Sequence, residues 1–180
     1  MRLFVAVPVQ LPIYAPLKQR FEKVVVGKWV EGFNLHLTIK FIGEGKPEEW
    51  QFPLPFKPIG QLEVGRPFLL GEKILALTAF HPQLEELNSL FEERWRKLNP
   101  SAPPPLPFRP HITLCRIKTV RNEPLLRQLL EEWEGVRPIK LPLQLYLYSS
   151  TLTRRGPIYK KLYRYSATSS EIVEGRPGQS

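Results

Sequence analysis

Cysteine is almost absent from the sequence, since Cys115 is its single cysteine. One thiol excludes an intramolecular disulfide and a cysteine-based metal site, and such usage is typical of a reducing compartment, so we expect a cytoplasmic protein. Long apolar runs are missing as well. The N-terminal segment MRLFVAVPVQLP is interrupted by Pro8 and is too short for a signal peptide or a membrane span. We interpret it as a strand and expect no membrane partner.

Acidic residues are in the minority. Asp and Glu number 17 against 26 Lys and Arg, which gives a formal net charge of +9. Such a charge favours polyanions such as RNA, DNA or an anionic membrane, although basic charge also serves solubility alone. Many of the basic residues lie toward the C-terminal end: Arg137, Lys140, Arg154, Arg155, Lys160, Lys161 and Arg164. A basic strand pair in this region is suited to binding phosphates.

Apolar periodicity predicts strands and helices in alternation along the chain. The predicted strands are residues 3–7, 35–42, 61–70, 73–79, 111–117, 141–148 and 157–165. The predicted helices are residues 13–24, which Gly27 is expected to end, residues 84–98, which Pro100 ends, and residues 122–133, which Asn122 caps.

The order of these elements is similar in residues 1–70 and in residues 73–165. We therefore expect one α+β domain over residues 1–180 that is bilobal, with two similar lobes, each an antiparallel sheet with flanking helices. Two equivalent lobes favour a central cleft between them. Residues 166–180 are expected to form a flexible tail.

Two of the three histidines stand in the same sequence frame, His, aliphatic, Thr, aliphatic. His36 and Thr38 lie in NLHLTIKFIGE, and His111 and Thr113 lie in PFRPHITLCRI. Because side chains alternate along a strand, each His shares a face with its Thr while the aliphatic residues enter the core. If an approximate two-fold axis relates the lobes, two imidazoles and two hydroxyls converge across the cleft, an arrangement that suits an anion.

This set of side chains points to acid and base catalysis on a phosphodiester. One histidine can accept a proton from the attacking hydroxyl while the other protonates the leaving oxygen, and the threonines can bind the nonbridging oxygens. A single such motif is usually structural, and the pair carries the hypothesis. No carboxylate or thiol stands at ligand spacing in either motif, so we expect no metal and no other cofactor. We interpret His81 as a helix-start residue. Cys115 shares the face of His111 by parity, but a lone cysteine in an apolar strand is usually a packing residue.

With these residues in place, the sequence resembles the two-histidine (2H) phosphoesterase superfamily, and within it the RNA 2′,3′-cyclic phosphodiesterases, also called 2′-5′ RNA ligases. The resemblance rests on RLFVAVPV, NLHLTIKFIGE, FRPHITLCR and LYLYSSTLTRRGPIYKKL. It implies a bilobal α+β fold whose H-x-T strands face a central cleft. The segment VEGFNLH, which leads into the first motif, differs from the residues that members of the family usually have at this place.

The resemblance also implies roles for individual residues. His36 would protonate the 3′ oxygen as it leaves, and His111 would activate a water that attacks the cyclic phosphate and yields a 2′-phosphate. Thr38 and Thr113 would bind the phosphate. Arg116 matches a basic position near the ligand, but strict alternation aims it away from the cleft unless the strand bulges there.

The resemblance implies an RNA partner with a 2′,3′-cyclic phosphate end, such as a tRNA half, and a reverse reaction that joins RNA through a 2′-5′ linkage. We expect a monomer. Phe4 and Phe41 match apolar or aromatic positions that approach the nucleotide, although core packing explains both equally well. Two alternatives stay open: a related enzyme for 2′-5′ oligoadenylate or a cyclic nucleotide ester, and a noncatalytic RNA-binding protein that uses both motifs as a phosphate clamp.

Overall fold

The computed structural model describes residues 1–167. The helices in this range are α1 (Tyr14–Phe21), α2 (Leu84–Leu98) and α3 (Glu123–Glu131). The strands are β1 (Arg2–Pro8), β2 (Val25–Trp29), β3 (His36–Glu44), β4 (Leu62–Leu70), β5 (Ile74–Phe80), β6 (His111–Val120), β7 (Ile139–Leu141), β8 (Leu145–Thr153) and β9 (Gly156–Tyr165). None of the helices in the described range is long and apolar enough to cross a membrane.

The strands form one antiparallel sheet in the order β7-β4-β5-β6-β3-β1-β8-β9, and β2 pairs with β6. The two histidine strands β3 and β6 are neighbours at the centre, joined through the single pair Leu37↔Ile112. This narrow junction separates a half made of β3, β1, β8 and β9 from a half made of β2, β6, β5, β4 and β7. The predicted α+β fold with antiparallel sheets is confirmed.

Each half of the sheet contains strands from both sequence segments. β4 belongs to residues 1–70 but pairs with β5, and β8 belongs to residues 73–165 but pairs with β1. The chain therefore crosses between the halves four times, with β2 into the second half, with β3 back, with β4 into the second half again and with β8 back. The division into approximate repeats at residues 1–70 and 73–165 stays a prediction, and it does not coincide with the spatial halves.

The hydrophobic core lies on the side of the sheet that the helices cover. Leu37 and Ile112 are fully buried in it, and α1 and α2 contribute Leu17, Phe21 and Phe91. Burial of one such side chain stabilises the fold by about 1.5–3 kcal/mol. Alternation then leaves the residues beside Leu37 and Ile112 on the opposite side of the sheet, which fixes where the motif histidines lie.

The prediction that Gly27 ends the first helix is wrong. α1 ends at Phe21, and Gly27 lies inside β2, where an added Cβ would come within 2.2 Å of the Arg116 carbonyl oxygen. The glycine is needed because two backbones approach closely, a reason that periodicity does not reveal. By contrast, the predicted cap is confirmed, since the Asn122 side chain accepts a hydrogen bond from the Leu125 backbone N–H.

Two further boundaries differ from the prediction at the C-terminal end. The predicted strand 141–148 is two strands, β7 and β8, because Pro142 interrupts the pairing between them. The predicted flexible tail begins too early, since the Leu54 backbone N–H donates to the Ser166 carbonyl at 2.7 Å and Ala167 pairs with Leu54. The rest of that prediction, residues 168–180, lies outside the described residues.

Candidate active site

The junction of β3 and β6 brings the four motif side chains together. Because Leu37 pairs with Ile112 in antiparallel register, His36 lies opposite Thr113, and Thr38 lies opposite His111. All four side chains are half-buried and project from the side of the sheet opposite the core. We call this side the histidine face. Each imidazole thus has the threonine of the other motif as its cross-strand neighbour.

The same backbone hydrogen bond holds both imidazoles. His36 Nδ1 lies 2.7 Å from the carbonyl oxygen of Asn34, and His111 Nδ1 lies 2.7 Å from the carbonyl oxygen of Arg109. A carbonyl oxygen only accepts hydrogen bonds, so in both rings Nδ1–H is the donor. In the neutral ring Nε2 is then a proton acceptor, and in the protonated ring it is a proton donor. Both histidines are therefore prepared for proton transfer through the same atom.

Aromatic rings surround His36. The ring centroids of Phe4 and Tyr159 each lie 5.3 Å from that of the imidazole. Burial lowers the pKa of His36, the nearby His111 lowers it further, and the Asn34 carbonyl opposes this by stabilising the protonated ring. The neutral imidazole is thus favoured while the site holds no anion. A phosphate between the two histidines would raise the pKa of His36 again.

A β-bulge determines the position of Arg116. Thr113 and Cys115 pair with adjacent residues of β5, so Leu114 is an extra residue in β6. Leu114 and Cys115 are therefore both buried, and alternation resumes with Arg116 exposed on the histidine face. Burial raises the pKa of Tyr159, and the charge of Arg116 opposes that shift. Arg116 thus lies near the ring that contacts His36, whereas strict alternation without the bulge would aim it away from the cleft.

The same bulge moves Cys115 away from the histidine face. The parity prediction for this residue is wrong, since its side chain is fully buried in the core and burial raises the pKa of the thiol to about 11. A buried thiol with a raised pKa is a poor nucleophile. Cys115 therefore packs in the core.

β3 contains a matching bulge. Thr38 and Lys40 pair with adjacent residues of β1, so Ile39 is the extra residue. Its carbonyl accepts a hydrogen bond of 2.9 Å from the Asn88 side chain on α2, which satisfies a backbone group that the ladder leaves unpaired. The alternation then places Phe41 on the histidine face with 67% of its surface exposed. Phe41 and Arg116 thus occupy equivalent positions, five residues after each histidine.

Tyrosines complete the surroundings of His36, and their role was not predicted from the sequence. The ring of Phe4 stacks on Tyr148 at 5.0 Å and meets Tyr159 edge-on at 4.9 Å. We call Phe4, Phe41, Tyr148 and Tyr159 the aromatic wall. Alternation in LYLYSS could have placed the β8 tyrosines on one face, but no local signal indicated that β8 pairs with β1 rather than with a strand of the second half.

The third histidine lies apart from this site. His81 precedes α2 as predicted, and it is 4% exposed. Its Nε2 lies 2.6 Å from the carbonyl oxygen of Ile59, and its Nδ1 accepts from the Gln83 backbone N–H. Both ring nitrogens are engaged in structural hydrogen bonds. Within residues 1–167, no three side chains of the His, Cys, Asp or Glu type converge into a potential metal site.

Comparisons with known proteins identify related phosphoesterases. Residues 80–159 match the model of the LigT-like phosphoesterase family. The RNA 2′,3′-cyclic phosphodiesterase of Aeropyrum pernix is 32% identical, and the match covers 81% of this chain and 89% of that protein. The enzyme of the same name from Methanocaldococcus jannaschii is 29% identical, and the match covers 89% of this chain and 97% of that protein.

The fold also has a solved counterpart. The crystal structure of TT0787 from Thermus thermophilus superimposes with a TM-score of 0.68 at 23% identity, over 92% of this chain and 97% of that one. This likeness shows the shared fold. Together with the identity to the Aeropyrum pernix protein over nearly its whole length, it leads to one conclusion: this chain belongs to the LigT-like phosphoesterase family and is a hydrolase.

Proposed function

We propose that this protein hydrolyses the 2′,3′-cyclic phosphate at the end of an RNA to a 2′-phosphate. The observation that carries the proposal is the pair of imidazoles, each held through Nδ1 by a carbonyl and each beside the threonine of the other motif. Four relatives named RNA 2′,3′-cyclic phosphodiesterase support the choice of substrate. The basic charge of the chain favours a polyanionic substrate as well.

In the proposed reaction the two histidines act on opposite sides of the phosphorus. His111 Nε2 accepts a proton from water as the water oxygen bonds to phosphorus, and His36 Nε2–H donates its proton to O3′ as the P–O3′ bond breaks. The products are a 2′-phosphate and a free 3′-hydroxyl. His111 ends protonated and His36 neutral, and exchange with solvent restores both.

The threonines and the arginine would bind the charge that develops on the phosphate. Thr38 and Thr113 can donate hydroxyl hydrogen bonds to the nonbridging oxygens. Arg116 can approach the same oxygens from the β6 side because the bulge brings it to the histidine face. The fixed positive charge of Arg116 stabilises the site with the anionic substrate bound relative to the empty site.

The lowered pKa of His36 fits this division of roles once substrate is bound. In the free enzyme the neutral ring is favoured, and a general acid must carry a proton. The anionic phosphate stabilises the imidazolium, so the substrate itself raises the pKa of His36 toward a value at which the ring can donate. The aromatic wall then limits access of water to the donated proton.

The same site could also join two RNAs. A 5′-hydroxyl of a second RNA in place of water would attack the cyclic phosphate and produce a 2′-5′ linkage, with unchanged duties for the two histidines. A mixture of tRNA halves, one with the cyclic end and one with the 5′-hydroxyl, tests this activity. All four motif side chains come from one chain, so we infer that a monomer is active.

The test of the hydrolysis is product analysis. Purified protein is incubated, with EDTA present, with a short RNA that ends in a 2′,3′-cyclic phosphate, and the 2′- and 3′-phosphate products are separated. We expect the 2′-phosphate alone. A 3′-phosphate would reverse the assignment of the leaving oxygen, and bound RNA without product would favour a phosphate clamp. A 2′-5′ oligoadenylate and a nucleoside 3′,5′-cyclic phosphate serve as competing substrates.

A further inference from the structure

Beyond the aromatic wall, the histidine face continues onto β8 and β9 as a second, basic surface. Tyr146 is half-buried, and its ring centroid lies 6.1 Å from that of Tyr148. Lys161 Nζ lies 4.4 Å from the centre of the Tyr146 ring, and Arg164 is the direct cross-strand partner of Tyr146. Cross-strand partners share a face, so all three side chains project from the same side as the active site.

The rings connect this surface to the catalytic histidine without a break. His36 contacts Phe4 at 5.3 Å, Phe4 stacks on Tyr148 at 5.0 Å, and Tyr148 contacts Tyr146 at 6.1 Å between ring centroids. A ligand that leaves the active site along β8 therefore meets Tyr146, Lys161 and Arg164 next. We call these three residues the β8–β9 subsite.

The charge of the subsite is not neutralised by its neighbours. Neither β8 nor β9 contains an acidic residue. Within residues 1–167, the ion pairs involve other side chains, and Lys161 and Arg164 take part in none of them. Exposed cations beside a partly exposed ring are the combination that binds single-stranded nucleic acid, since the cations bind phosphate and the ring contacts a base.

We propose that the β8–β9 subsite binds the nucleotide on the 5′ side of the cyclic end, with Lys161 and Arg164 on its phosphate and Tyr146 against its base. The inference rests on the proposed function, because it takes the RNA end to lie at the histidines. It predicts a preference for oligonucleotides over mononucleotides that does not depend on base sequence, since a ring and two cations read no base edges.

Adjacent lysines on opposite faces of β9 provide a matched pair of variants. Lys161 pairs with Tyr148 on the histidine face, whereas Lys160 pairs with Ser149, which is buried on the other side of the sheet. Both lysines are exposed. Lys161→Glu and Lys160→Glu therefore change the net charge equally, and they differ in the face from which the charge projects.

The experiment compares kcat/KM on a nucleoside 2′,3′-cyclic phosphate and on a trinucleotide with the same cyclic end. Lys161→Glu and Tyr146→Leu should each lower kcat/KM for the trinucleotide by roughly tenfold, mainly through KM, and leave the mononucleotide unchanged. Lys160→Glu should leave both substrates unchanged. Equal losses for Lys161→Glu and Lys160→Glu, or an equal loss on both substrates, would overturn the subsite.

Binding of the 2′-phosphate trinucleotide, measured by fluorescence anisotropy at several salt concentrations, keeps the inference separate from the proposed reaction. If the wild-type protein hydrolyses neither substrate, the proposed function fails, and the subsite is still tested by binding. Lys161→Gln should weaken trinucleotide binding and reduce the salt slope by about 0.7, the value for one phosphate contact to a single strand. An unchanged slope would remove Lys161 from the contact.

Discussion

The two histidine strands share their backbone geometry and differ in their surroundings. In β3 and in β6 the histidine donates through Nδ1 to the carbonyl two residues earlier, and a bulge follows the threonine. The residue five positions after each histidine is Phe41 in β3 and Arg116 in β6. In the proposed mechanism, proton transfer depends on the features that both strands share, and the features that differ would give the two histidines different roles.

The two strands also differ at the residues that directly precede Phe41 and Arg116. Lys40 turns toward α2 and pairs with Glu92 at 2.5 Å, whereas Cys115 enters an apolar core. On the histidine face, the β3 half surrounds its imidazole with the rings of the aromatic wall, and the β6 half contributes a guanidinium. One half thus contains a desolvated imidazole and the other contains an arginine. This asymmetry favours a mechanism in which one histidine is the acid and the other is the base, over one in which the two are interchangeable.

Removal of either imidazole should produce the largest effect. We expect His36→Ala and His111→Ala each to lower kcat by about 100-fold or more, and the double variant to be little worse than either single variant, because the residues act as a unit. Steady-state kinetics on a cyclic-phosphate RNA measures both. Thr119→Val, an exposed change on β6, is the control. A nearly normal rate in one single variant would remove that histidine from the mechanism.

Substitutions of Arg116 and of Phe41, which lie five positions after the two histidines, should separate the effect of charge from the effect of apolar contact. Arg116→Gln is expected to raise KM by roughly tenfold at low salt, because a charged contact to phosphate is lost, and the difference from wild type should shrink as salt screens the remaining contacts. Phe41→Ala removes only apolar contact, so its smaller increase in KM should not depend on salt. KM measured for both variants at two ionic strengths decides the comparison. The same salt dependence in both would contradict it.

The surroundings of His36 should be visible in its titration. In the free enzyme its pKa should lie below 6.5, because burial and the nearby His111 disfavour the imidazolium. As the proposed acid, His36 is active when protonated, so kcat/KM should fall as pH rises through this lowered pKa, and kcat should fall at a higher pH because bound phosphate raises it. NMR titration of the imidazole measures the value directly. In Phe4→Leu, which admits water, the pKa should move back toward 6.5.

The bulge in β6 predicts a small effect on stability. Cys115→Ser should lower the free energy of unfolding by about 1–3 kcal/mol, because the serine hydroxyl would be buried without a dedicated hydrogen-bond partner. The substitution should leave kcat unchanged. Urea denaturation measures the loss, with Cys115→Ala as the matched apolar variant. A serine variant as stable as the wild type and with altered kcat would place the side chain on the histidine face, as simple parity suggests.

Local sequence patterns were sufficient to predict the features that depend only on the alternation of side chains along a strand. The side shared by His36 and Thr38 follows from the two-residue period of a strand, and the cap at Asn122 follows from its own side chain. The position of Arg116 could not be derived, because it depends on how β6 pairs with β5. Gly27 was misassigned for a similar reason, since its close neighbour is the distant Arg116 carbonyl.

The residues that pair across the sheet could not be predicted from local sequence patterns either. Tyr159 contacts His36 and Tyr148 stacks on Phe4 because β8 pairs with β1 and with β9, so their place at the site is a consequence of topology. No periodicity within the segment distinguishes this pairing from one with β4 or β5. The shared face of the two His-x-Thr motifs was thus predictable from a repeated motif, while the residues that surround them were not.

The division of roles between the halves has one direct test, a substrate whose 3′ bridging oxygen is replaced by sulfur. A thiolate leaves without protonation, so a general acid becomes dispensable while a general base does not. On this substrate His36→Ala should turn over at nearly the wild-type rate, and His111→Ala should remain slower by about 100-fold or more. Rescue of His111→Ala instead, or no rescue of His36→Ala, would contradict the account.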